Sequence, residues 1–387
     1  MAFDFIVTSL QQRRSDSLYR QRQSITALSA TGITVEGRPY INFASNDYLG
    51  LAQSDQLKQA WQDATELWGV GSGASPLVTG YSAAHQALEC RLAEYLQREA
   101  VLLFNSGFAA NQAICQGLMA QGGYIIADKL SHASIIDGAL ASNGKLQRFA
   151  HNDVSHLQRL MNKSADNKLV VTEGVFSMDG DVSPLKQVSQ CCADHNAWLM
   201  VDDAHGFGVL GEQGMGSAEL QQLPQNQLPV LMATFGKAVG TAGAFVAGSQ
   251  ELVDYLVNSA RHYIYSTHMP AAQAVATLAS IELIRSQSWR RDKLRSNIEY
   301  FKTRANQLGI ALMPSDTAIQ PVMVGDPDRA LQTSRALKQA GFWVTAIRYP
   351  TVPQGTERLR ITLSAQHEVP ALDELLIVLA KVVQHGD

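Results

Sequence analysis

The sequence lacks the features that mark membrane-spanning, secreted and disulfide-rich proteins. No run reaches the ~18 apolar residues of a membrane span, and residues 1–14 contain no cationic start followed by a long apolar stretch, so no signal peptide is predicted. The four cysteines form no C-x-x-C pair, and the adjacent Cys191 and Cys192 cannot easily serve two structural bridges. We therefore expect reduced thiols in a cytoplasmic protein.

The chain also lacks an excess of charge of either sign. Its formal net charge is -4, so the composition gives no indication of a nucleic-acid or membrane partner. With 46% hydrophobic and 17% charged residues among 387, the chain can bury a sizeable core, and its length indicates two domains or one large domain with appendages. These properties suit an enzyme that acts on small molecules.

Short apolar runs alternate with helix-like segments from about residue 45 to residue 284. Such runs predict an α/β domain with a mainly parallel sheet, covered by helices on both faces. The runs are 101–104, 124–127, 169–172, 198–201, 230–233 and 244–247. Ligands of such sheets bind beyond the carboxyl ends of the strands.

The two ends of the chain have a different pattern. Residues 4–23 resemble an amphipathic arm. After the large domain, helix-like segments (286–308, 328–340, 369–384) and strand-like runs (319–324, 343–347, 358–363) predict a smaller α+β domain. We expect an N-terminal arm over residues 1–45, a large domain over 46–285 and a small domain over 286–387.

Three polar residues follow strand-like runs of the large domain. Asp202 ends one run, His205 lies three residues later, and Lys237 follows the run 230–233. A lysine amine can form a Schiff base with the aldehyde of pyridoxal 5'-phosphate (PLP), and a carboxylate can keep the ring nitrogen protonated, so that the ring accepts the electrons of a carbanion. Taken singly, Asp202 could cap a helix and His205 could be an ordinary loop histidine. No H-E-x-x-H or cysteine cluster supports a metal at this place.

Two further features favour a bound phosphate and a flat ring. Residues 105–111 leave a strand and open a helix at Gly107 and Phe108, so backbone N–H groups and the helix dipole converge there. Thr234 could complete this cradle, although a simple strand-to-helix turn explains residues 105–111 equally well in isolation. His132 could stack on the ring, or merely begin a helix.

A glycine pattern at residues 206–211 matches G-x-G-x-x-G and therefore raises a nicotinamide oxidoreductase as an alternative. A dinucleotide site would need a helix opening there and an acidic residue about twenty positions later. Residues 212–216 break any helix, and residues 225–231 contain no acid. The oxidoreductase is thus the weaker second class.

Several longer motifs, in order along nearly the whole chain, resemble the α-oxoamine synthase family of fold type I PLP enzymes. They are residues 42–51, 172–180, 202–208, 234–237 and 350–360. The resemblance implies a large domain whose mainly parallel sheet is of the seven-stranded type. It also implies a decarboxylative condensation of an amino acid with an acyl thioester, in a homodimer with active sites at the subunit interface. Residues 131–134, 149–153, 201–206 and 361–365 resemble the branch of biotin biosynthesis that uses L-alanine and a pimeloyl thioester of coenzyme A or acyl carrier protein. Two other members, 2-amino-3-ketobutyrate CoA ligase and 5-aminolevulinate synthase, remain alternatives.

The resemblance also implies a role for each candidate site residue. Lys237 would hold PLP and move the substrate proton, Asp202 would pair with the ring nitrogen, and His205 would bind the phenolic oxygen. The remaining assignments are stacking by His132, a place near the phenolic oxygen for Ser177, phosphate binding by Gly107, Phe108 and Thr234, carboxylate binding by Arg348, orientation of the substrate by Asn46, and substrate contacts by Arg20 and Thr351, with Ser266 or Thr267 reaching the partner subunit's phosphate. Met215 departs from the family, which usually has arginine there, and this puts a surface contact in doubt.

Overall fold

A computed structural model describes residues 2–162 and 167–384. The strands are β1 (Ile25–Leu28), β2 (Gly32–Val35), β3 (Arg38–Asn42), β4 (Ala100–Phe104), β5 (Tyr124–Asp128), β6 (Lys145–Phe149), β7 (Lys168–Glu173), β8 (Trp198–Asp202), β9 (Val230–Thr234), β10 (Ala244–Gly248), β11 (Ile319–Met323), β12 (Phe342–Trp343), β13 (Thr345–Ile347) and β14 (Arg358–Thr362). The helices are α1 (Phe5–Ser15), α2 (Asp55–Trp68), α3 (Ala83–Leu96), α4 (Gly107–Leu118), α5 (Ala133–Leu140), α6 (Val154–Met161), α7 (Leu185–Asp194), α8 (Ser217–Leu220), α9 (Gln250–Ser259), α10 (Arg261–Ile264), α11 (Ala271–Ser286), α12 (Trp289–Gln307), α13 (Pro327–Gln339) and α14 (Val369–Gln384), with a π-helical turn at Pro76–Gly80.

The chain divides into two compact units. One comprises Met1–Asn46, Met178–Gly180 and Lys293–Asp387, and the other comprises Asp47–Ser177 and Asp181–Asp292. We call them the terminal unit and the central unit. The domain ranges predicted from the sequence, 1–45, 46–285 and 286–387, stay a prediction.

A seven-stranded sheet forms the centre of the central unit, as the sequence predicts. Its strand order is β4-β10-β9-β8-β7-β5-β6, and all pairs are parallel except those that β10 makes with β4 and β9. The strand β10 is antiparallel because no crossover helix separates it from β9, and only a connection through a helix returns the chain to the same direction. The apolar run 244–247 was expected to be part of the mainly parallel set, and its direction differs from that expectation.

The six apolar runs are all strands because the sheet buries both of their faces. Every residue of β4 and β10 is buried. The edge strand β6 was not predicted. Its sequence is largely polar, and only its last residue, Phe149, is buried, so it lacks the apolar run that identified the others.

The strand ends place polar residues at one edge of this sheet. Parallel pairing puts Glu173 of β7 beside Asp202 of β8, and Asp202 pairs in register with Met232 of β9, two residues before Thr234. Asp128 ends β5 at the same edge. The edge where ligands bind in such sheets therefore carries the residues singled out from the sequence.

The terminal unit contains two small sheets. One has the order β1-β2-β3-β12 and the other the antiparallel order β11-β14-β13. The segments predicted for the C-terminal α+β region are all present, whereas β1 to β3 were not predicted. The amphipathic arm is a correction: the helix α1 ends at Ser15, and none of its residues is buried, so it has no apolar face packed against a core.

No helix in the described residues is long and apolar enough to cross a membrane.

The sheet core should be sensitive to loss of volume at Phe245, which is fully buried and packs edge-to-face on Phe207 with ring centroids 5.1 Å apart. We expect Phe245→Ala to lower the free energy of unfolding by about 3–5 kcal/mol, because the cavity adds to the lost transfer energy. Urea denaturation measures the change. Leu140→Ala, at a side chain 70% exposed, is the control and should change it by less than about 0.5 kcal/mol. Equal changes would contradict this account of the core.

Candidate functional site

A chain of hydrogen bonds joins Lys237 to two other side chains of the central unit. The Lys237 Nζ lies 2.8 Å from His205 Nε2, and His205 Nδ1 lies 2.5 Å from the Tyr48 hydroxyl oxygen. When Lys237 donates to Nε2, Nδ1 must carry the ring proton and donate to Tyr48. The position of the imidazole is thereby fixed from both sides. Tyr48 was not predicted as a site residue, although it lies in the family-like motif 42–51.

Asp202 is buried and hydrogen-bonded at both carboxylate oxygens. Its Oδ2 accepts from Asn111 Nδ2 at 2.8 Å, and its Oδ1 accepts from the Ala204 backbone N–H at 3.0 Å. The two donors compensate part of the cost of burying a charge. They also fix the direction in which the carboxylate faces.

The same asparagine connects Asp202 with His132. The Asn111 Nδ2 also donates to Ser134 Oγ at 2.9 Å, and Ser134 Oγ lies 2.8 Å from His132 Nδ1. Since the Ser134 backbone N–H also points at Nδ1 (3.3 Å), this nitrogen is the acceptor, and a neutral His132 carries its proton on Nε2. Asn111 was missed as a site residue because Asp202 is distant in sequence, whereas Ser134 lies only two residues from His132 but was given no role of its own.

Asp203, next to Asp202, has a structural role. Its oxygens accept from the Ser217 backbone N–H at 2.8 Å and from Ser217 Oγ at 2.5 Å, at the start of α8. Burial raises its pKa to about 7. A Cβ on Gly206 would lie 2.2 Å from Asp203 Oδ1, so the carboxylate occupies space that only glycine leaves open. The first helix after β8 is α8, so no helix opens at residues 206–211, where a dinucleotide site would need one.

Glu173 is a third buried carboxyl group at this edge. Burial, and to a lesser extent the neighbouring charge of Asp202, raise its pKa well above the usual value, while Lys237 and the backbone N–H groups of His132 and Ser177 act in the opposite direction. Its Oε1 has no hydrogen-bond partner in the structure. Two adjacent buried carboxylates cannot both be charged cheaply, so we interpret Glu173 as the protonated one. Glu173 is not among the site residues predicted from the sequence.

The start of α4 faces the end of β9. Ser106 caps the helix by accepting from the Ala109 backbone N–H at 3.2 Å, and a Cβ on Gly107 would lie 3.9 Å from Thr234 Cβ. Thr234 Oγ1 donates to the Gly243 carbonyl at 2.8 Å. The first turn of a twelve-residue helix at this place can bind an anion.

Two aromatic rings stand beside this helix start. Phe108 is 42% exposed, and its ring lies edge-on to His132 at 6.3 Å.

Two other candidates take part in hydrogen bonds through their backbone. The Ser177 N–H donates to the Glu173 carboxyl group, and the Thr267 carbonyl accepts from Asn105 Nδ2 at 2.5 Å. Eight of the cofactor-binding and catalytic residues predicted from the sequence belong to the central unit: Gly107, Phe108, His132, Ser177, Asp202, His205, Thr234 and Lys237.

The other candidates belong to the terminal unit. Arg348 donates to the Ser17 carbonyl, and Arg20 donates to Thr351 Oγ1 at 3.4 Å, so the N-terminal segment brings these candidates together. Burial and the charge of Arg20 lower the pKa of Arg348.

Asn46 has a separate partner in the terminal unit. Its Oδ1 accepts from Arg360 Nη1 at 3.1 Å. Arg360 lies in the motif 350–360 but was given no role from the sequence.

Among the described ranges 2–162 and 167–384, no group of three or more His, Cys, Asp or Glu side chains is arranged to hold a metal ion.

Comparisons with known proteins agree over nearly the whole chain. The family model "Aminotransferase class I and II" matches residues 38–379. The 8-amino-7-oxononanoate synthase of Cellvibrio japonicus is 49% identical over 379 residues, which are 98% of this chain and 95% of that protein.

Solved structures share the fold. Serine palmitoyltransferase from S. paucimobilis, with a bound PLP–myriocin aldimine, has a TM-score of 0.93 at 28% identity, covering 99% of this chain and 98% of that one. The 8-amino-7-oxononanoate synthase of Francisella tularensis has a TM-score of 0.79 at 29% identity, covering 89% and 98%. The chain therefore belongs to the class I and II aminotransferase family and, within it, to the 8-amino-7-oxononanoate synthases.

Proposed function

We propose that the protein is a PLP-dependent acyltransferase of biotin biosynthesis. It condenses L-alanine with a pimeloyl thioester, releasing CO2 and the thiol carrier and forming 8-amino-7-oxononanoate. The carrier is coenzyme A or acyl carrier protein, and the enzyme acts as a homodimer in the cytoplasm. The observation that carries the proposal is the placement of the Lys237 amine 2.8 Å from His205, at the sheet edge where the buried Asp202 ends β8.

The residues at this edge fit PLP. The cofactor has a cationic ring nitrogen, a phenolic oxygen, an aldehyde and a phosphate, and the central unit offers a matching group for each. Asp202 would hold the ring nitrogen, His205 and Ser177 would lie at the phenolic oxygen, Lys237 at the aldehyde, and the first turn of α4 with Thr234 at the phosphate. Bound PLP supplies an electron sink for the bond that breaks at the amino-acid Cα.

Lys237 and His205 handle protons in this proposal. The Lys237 amine would remove the proton from Cα of alanine. His205 holds the amine through Nε2, and Tyr48 fixes the opposite ring nitrogen, so the imidazole keeps its tautomer while the lysine changes protonation state.

Asp202 must remain ionised to stabilise a protonated ring nitrogen. Asn111 and the Ala204 N–H donate to its two oxygens, which favours the charged form. A protonated Glu173 beside it adds no second negative charge and therefore does not repel the Asp202 carboxylate. His132, oriented through Ser134, would stack on the ring face.

Arg348 suits the carboxylate of alanine because a guanidinium donates two parallel hydrogen bonds. Its present acceptor is the neutral Ser17 carbonyl, which a substrate carboxylate would replace. Asn46, Arg20 and Thr351 would contribute further substrate contacts. Serine palmitoyltransferase shares the fold at 28% identity, so substrate preference needs a direct test.

Product analysis tests the function. We expect the purified protein, supplied with PLP, L-alanine and pimeloyl-CoA, to form a product with the mass of 8-amino-7-oxononanoate, detected by mass spectrometry. Alanine should react faster than glycine or serine, and pimeloyl-CoA faster than acetyl-, succinyl- or palmitoyl-CoA. If glycine with acetyl-CoA or succinyl-CoA is the fastest pair, the protein acts as 2-amino-3-ketobutyrate CoA ligase or 5-aminolevulinate synthase instead.

The next prediction concerns Lys237. The protein with PLP should be yellow, and borohydride should fix a pyridoxyl group on Lys237, located by peptide mass spectrometry. Lys237→Ala should still bind PLP through the phosphate and ring contacts, but its kcat should fall by more than the ~10²–10⁴-fold of a lone acid–base group. Lys186→Ala, at an exposed lysine of α7, is the control and should retain both properties. Labelling of a different lysine would refute the assignment.

A further prediction distinguishes the roles of the two adjacent aspartates. Asp202→Asn should lower kcat/KM for alanine by about 10²–10³-fold, because the charge that stabilises the ring nitrogen is lost. Asp203→Asn should leave kcat/KM within about tenfold but lower the stability by about 1–3 kcal/mol, since its bonds to Ser217 are structural. Steady-state kinetics and urea denaturation measure the two effects. Equal kinetic losses would mean that the ring-nitrogen contact is misassigned.

A further inference from the structure

A histidine that the proposed reaction does not use lies between two carboxylates of the central unit. His151 comes two residues after β6. Its Nδ1 lies 3.0 Å from Asp128 Oδ1, and its Nε2 lies 2.7 Å from Asp181 Oδ2. The Asp128 side chain is fully buried, and the other two are about one-quarter exposed. This group is distinct from the chain Lys237–His205–Tyr48.

The geometry requires His151 to be an imidazolium. An ionised carboxylate only accepts hydrogen bonds, so each ring nitrogen facing one must carry a proton. Burial lowers the pKa of His151, but the hydrogen bonds and charges of Asp128 and Asp181 outweigh burial and raise it to about 10. The ring therefore joins the two carboxylates through two charge-assisted hydrogen bonds at neutral pH.

Asp128 belongs to the segment that leads to His132. It is the last residue of β5, and its oxygens also accept from the backbone N–H groups of Leu130 at 2.8 Å and Asn152 at 2.9 Å. His132 follows two residues after Leu130 and caps α5. The carboxylate thus fixes the turn from which His132 projects.

Asp181 belongs to the loop that carries Ser177. Its carbonyl accepts from the Phe176 backbone N–H at 3.0 Å, which closes the loop, and the His151 ring packs edge-on against the Phe176 ring at 4.4 Å. Asn152 Nδ2 donates to the same Asp181 oxygen at 2.8 Å. The His151 side chain therefore contacts both ends of the turn that positions Ser177.

Glu173 already joins the same two loops nearer the reacting groups, through the backbone N–H groups of His132 and Ser177. The loops are consequently tied at two points, by Glu173 and by His151. The first tie is the one next to Asp202, because Glu173 pairs with Asp202 in the sheet.

We propose that His151 is a positioning residue, which clamps the loop of residues 129–132 to the loop of residues 175–182 and so sets the spacing between His132 and Ser177. The inference rests on the proposed function, because it assigns these two residues to opposite parts of one cofactor. His151 is not among the residues assigned to the substrate or the cofactor, and it acts through Asp128 and Asp181.

The location of the clamp allows it to act on the loops alone. It lies beyond β6, the edge strand of the sheet, and outside the hydrophobic cluster that includes residues of the sheet and of helices α4, α5 and α9. Its loss should therefore open the two loops without unfolding the core.

The test uses His151→Gln and Asp181→Asn, with His195→Gln as the matched control. His195 is also half-buried, but its ring donates a hydrogen bond to a neutral carbonyl, that of Cys191 at 2.9 Å. Two measurements are made on the whole protein: amide hydrogen exchange without PLP, and PLP affinity by fluorescence titration.

Both clamp variants should show exchange at least about tenfold faster at residues 129–134 and 174–183, and unchanged exchange in β8 to β10, because a charge-assisted pair is lost locally. PLP affinity should fall by about tenfold or more, while His195→Gln matches the native protein. The double variant should lose little more than either single one, because both remove the same contact.

A pH series gives an independent check. Because the pKa of His151 is raised in the folded protein, its protonated form stabilises the fold. This stabilisation is fully present below the usual histidine pKa of 6.5 and is lost as the pH rises through about 10. The gap in melting temperature between the native protein and His151→Gln should therefore be largest near pH 6 and close towards pH 10. The charges that raise this pKa are those of Asp128 and Asp181.

Unchanged exchange in the two loops, or acceleration spread evenly over β8 to β10, would overturn the clamp. A gap in melting temperature that stays constant with pH would also overturn it. If no form of the protein bound PLP, the proposed function would fail, whereas the exchange and pH results would still decide whether His151 joins the loops.

Discussion

The arrangement of the candidate site depends on the cost of burying the Asp202 carboxylate. A charge removed from water needs hydrogen-bond donors, and Asp202 obtains them from Asn111 on α4 and from its own following backbone. This requirement fixes the position of α4 against β8. Because the same helix also begins at Gly107, one constraint sets both the direction of the carboxylate and the place of the helix N-terminus that can bind phosphate.

The neighbouring carboxyl groups follow from the same constraint. Parallel pairing of β7 with β8 puts Glu173 directly beside Asp202, and repulsion between like charges in a buried place is relieved when one of them holds a proton. Glu173 lacks a side-chain donor comparable to Asn111 and becomes the neutral one. Asp203 points to the start of α8 instead, where Ser217 takes both of its oxygens. Three acids in close proximity therefore have three different tasks.

Much of the fold could be predicted from the sequence because its strands are buried on both faces. Continuous apolar runs identify β4, β5, β7, β8, β9 and β10, and each is a strand. The pattern fails where burial is partial: β6 is a polar edge strand, and β1 has every residue exposed. The exposure of α1 likewise could not be read from its composition, since apolar residues at helical spacing do not say whether a core lies beside them.

The site could be predicted only where its signals are local. Asp202 ends a strand, His205 and Lys237 each follow a strand by three residues, and resemblance to a family supplied their roles. Tyr48 and Asn111 escaped prediction because each meets its partner across the fold: Tyr48 lies 157 residues from His205, and Asn111 lies 91 residues from Asp202. Their function depends on geometry that no spacing in the sequence encodes.

In the proposed function, Arg348 would bind the substrate carboxylate. Its guanidinium contacts a neutral carbonyl of the N-terminal segment, and burial together with the charge of Arg20 disfavours its protonated form, since both lower its pKa. A substrate carboxylate would supply the missing negative charge and two stronger hydrogen bonds in place of one neutral acceptor. In the proposed function, exchange of the Ser17 carbonyl for an anion would therefore be favourable, and the two nearby arginines would favour a carboxylate over an uncharged group.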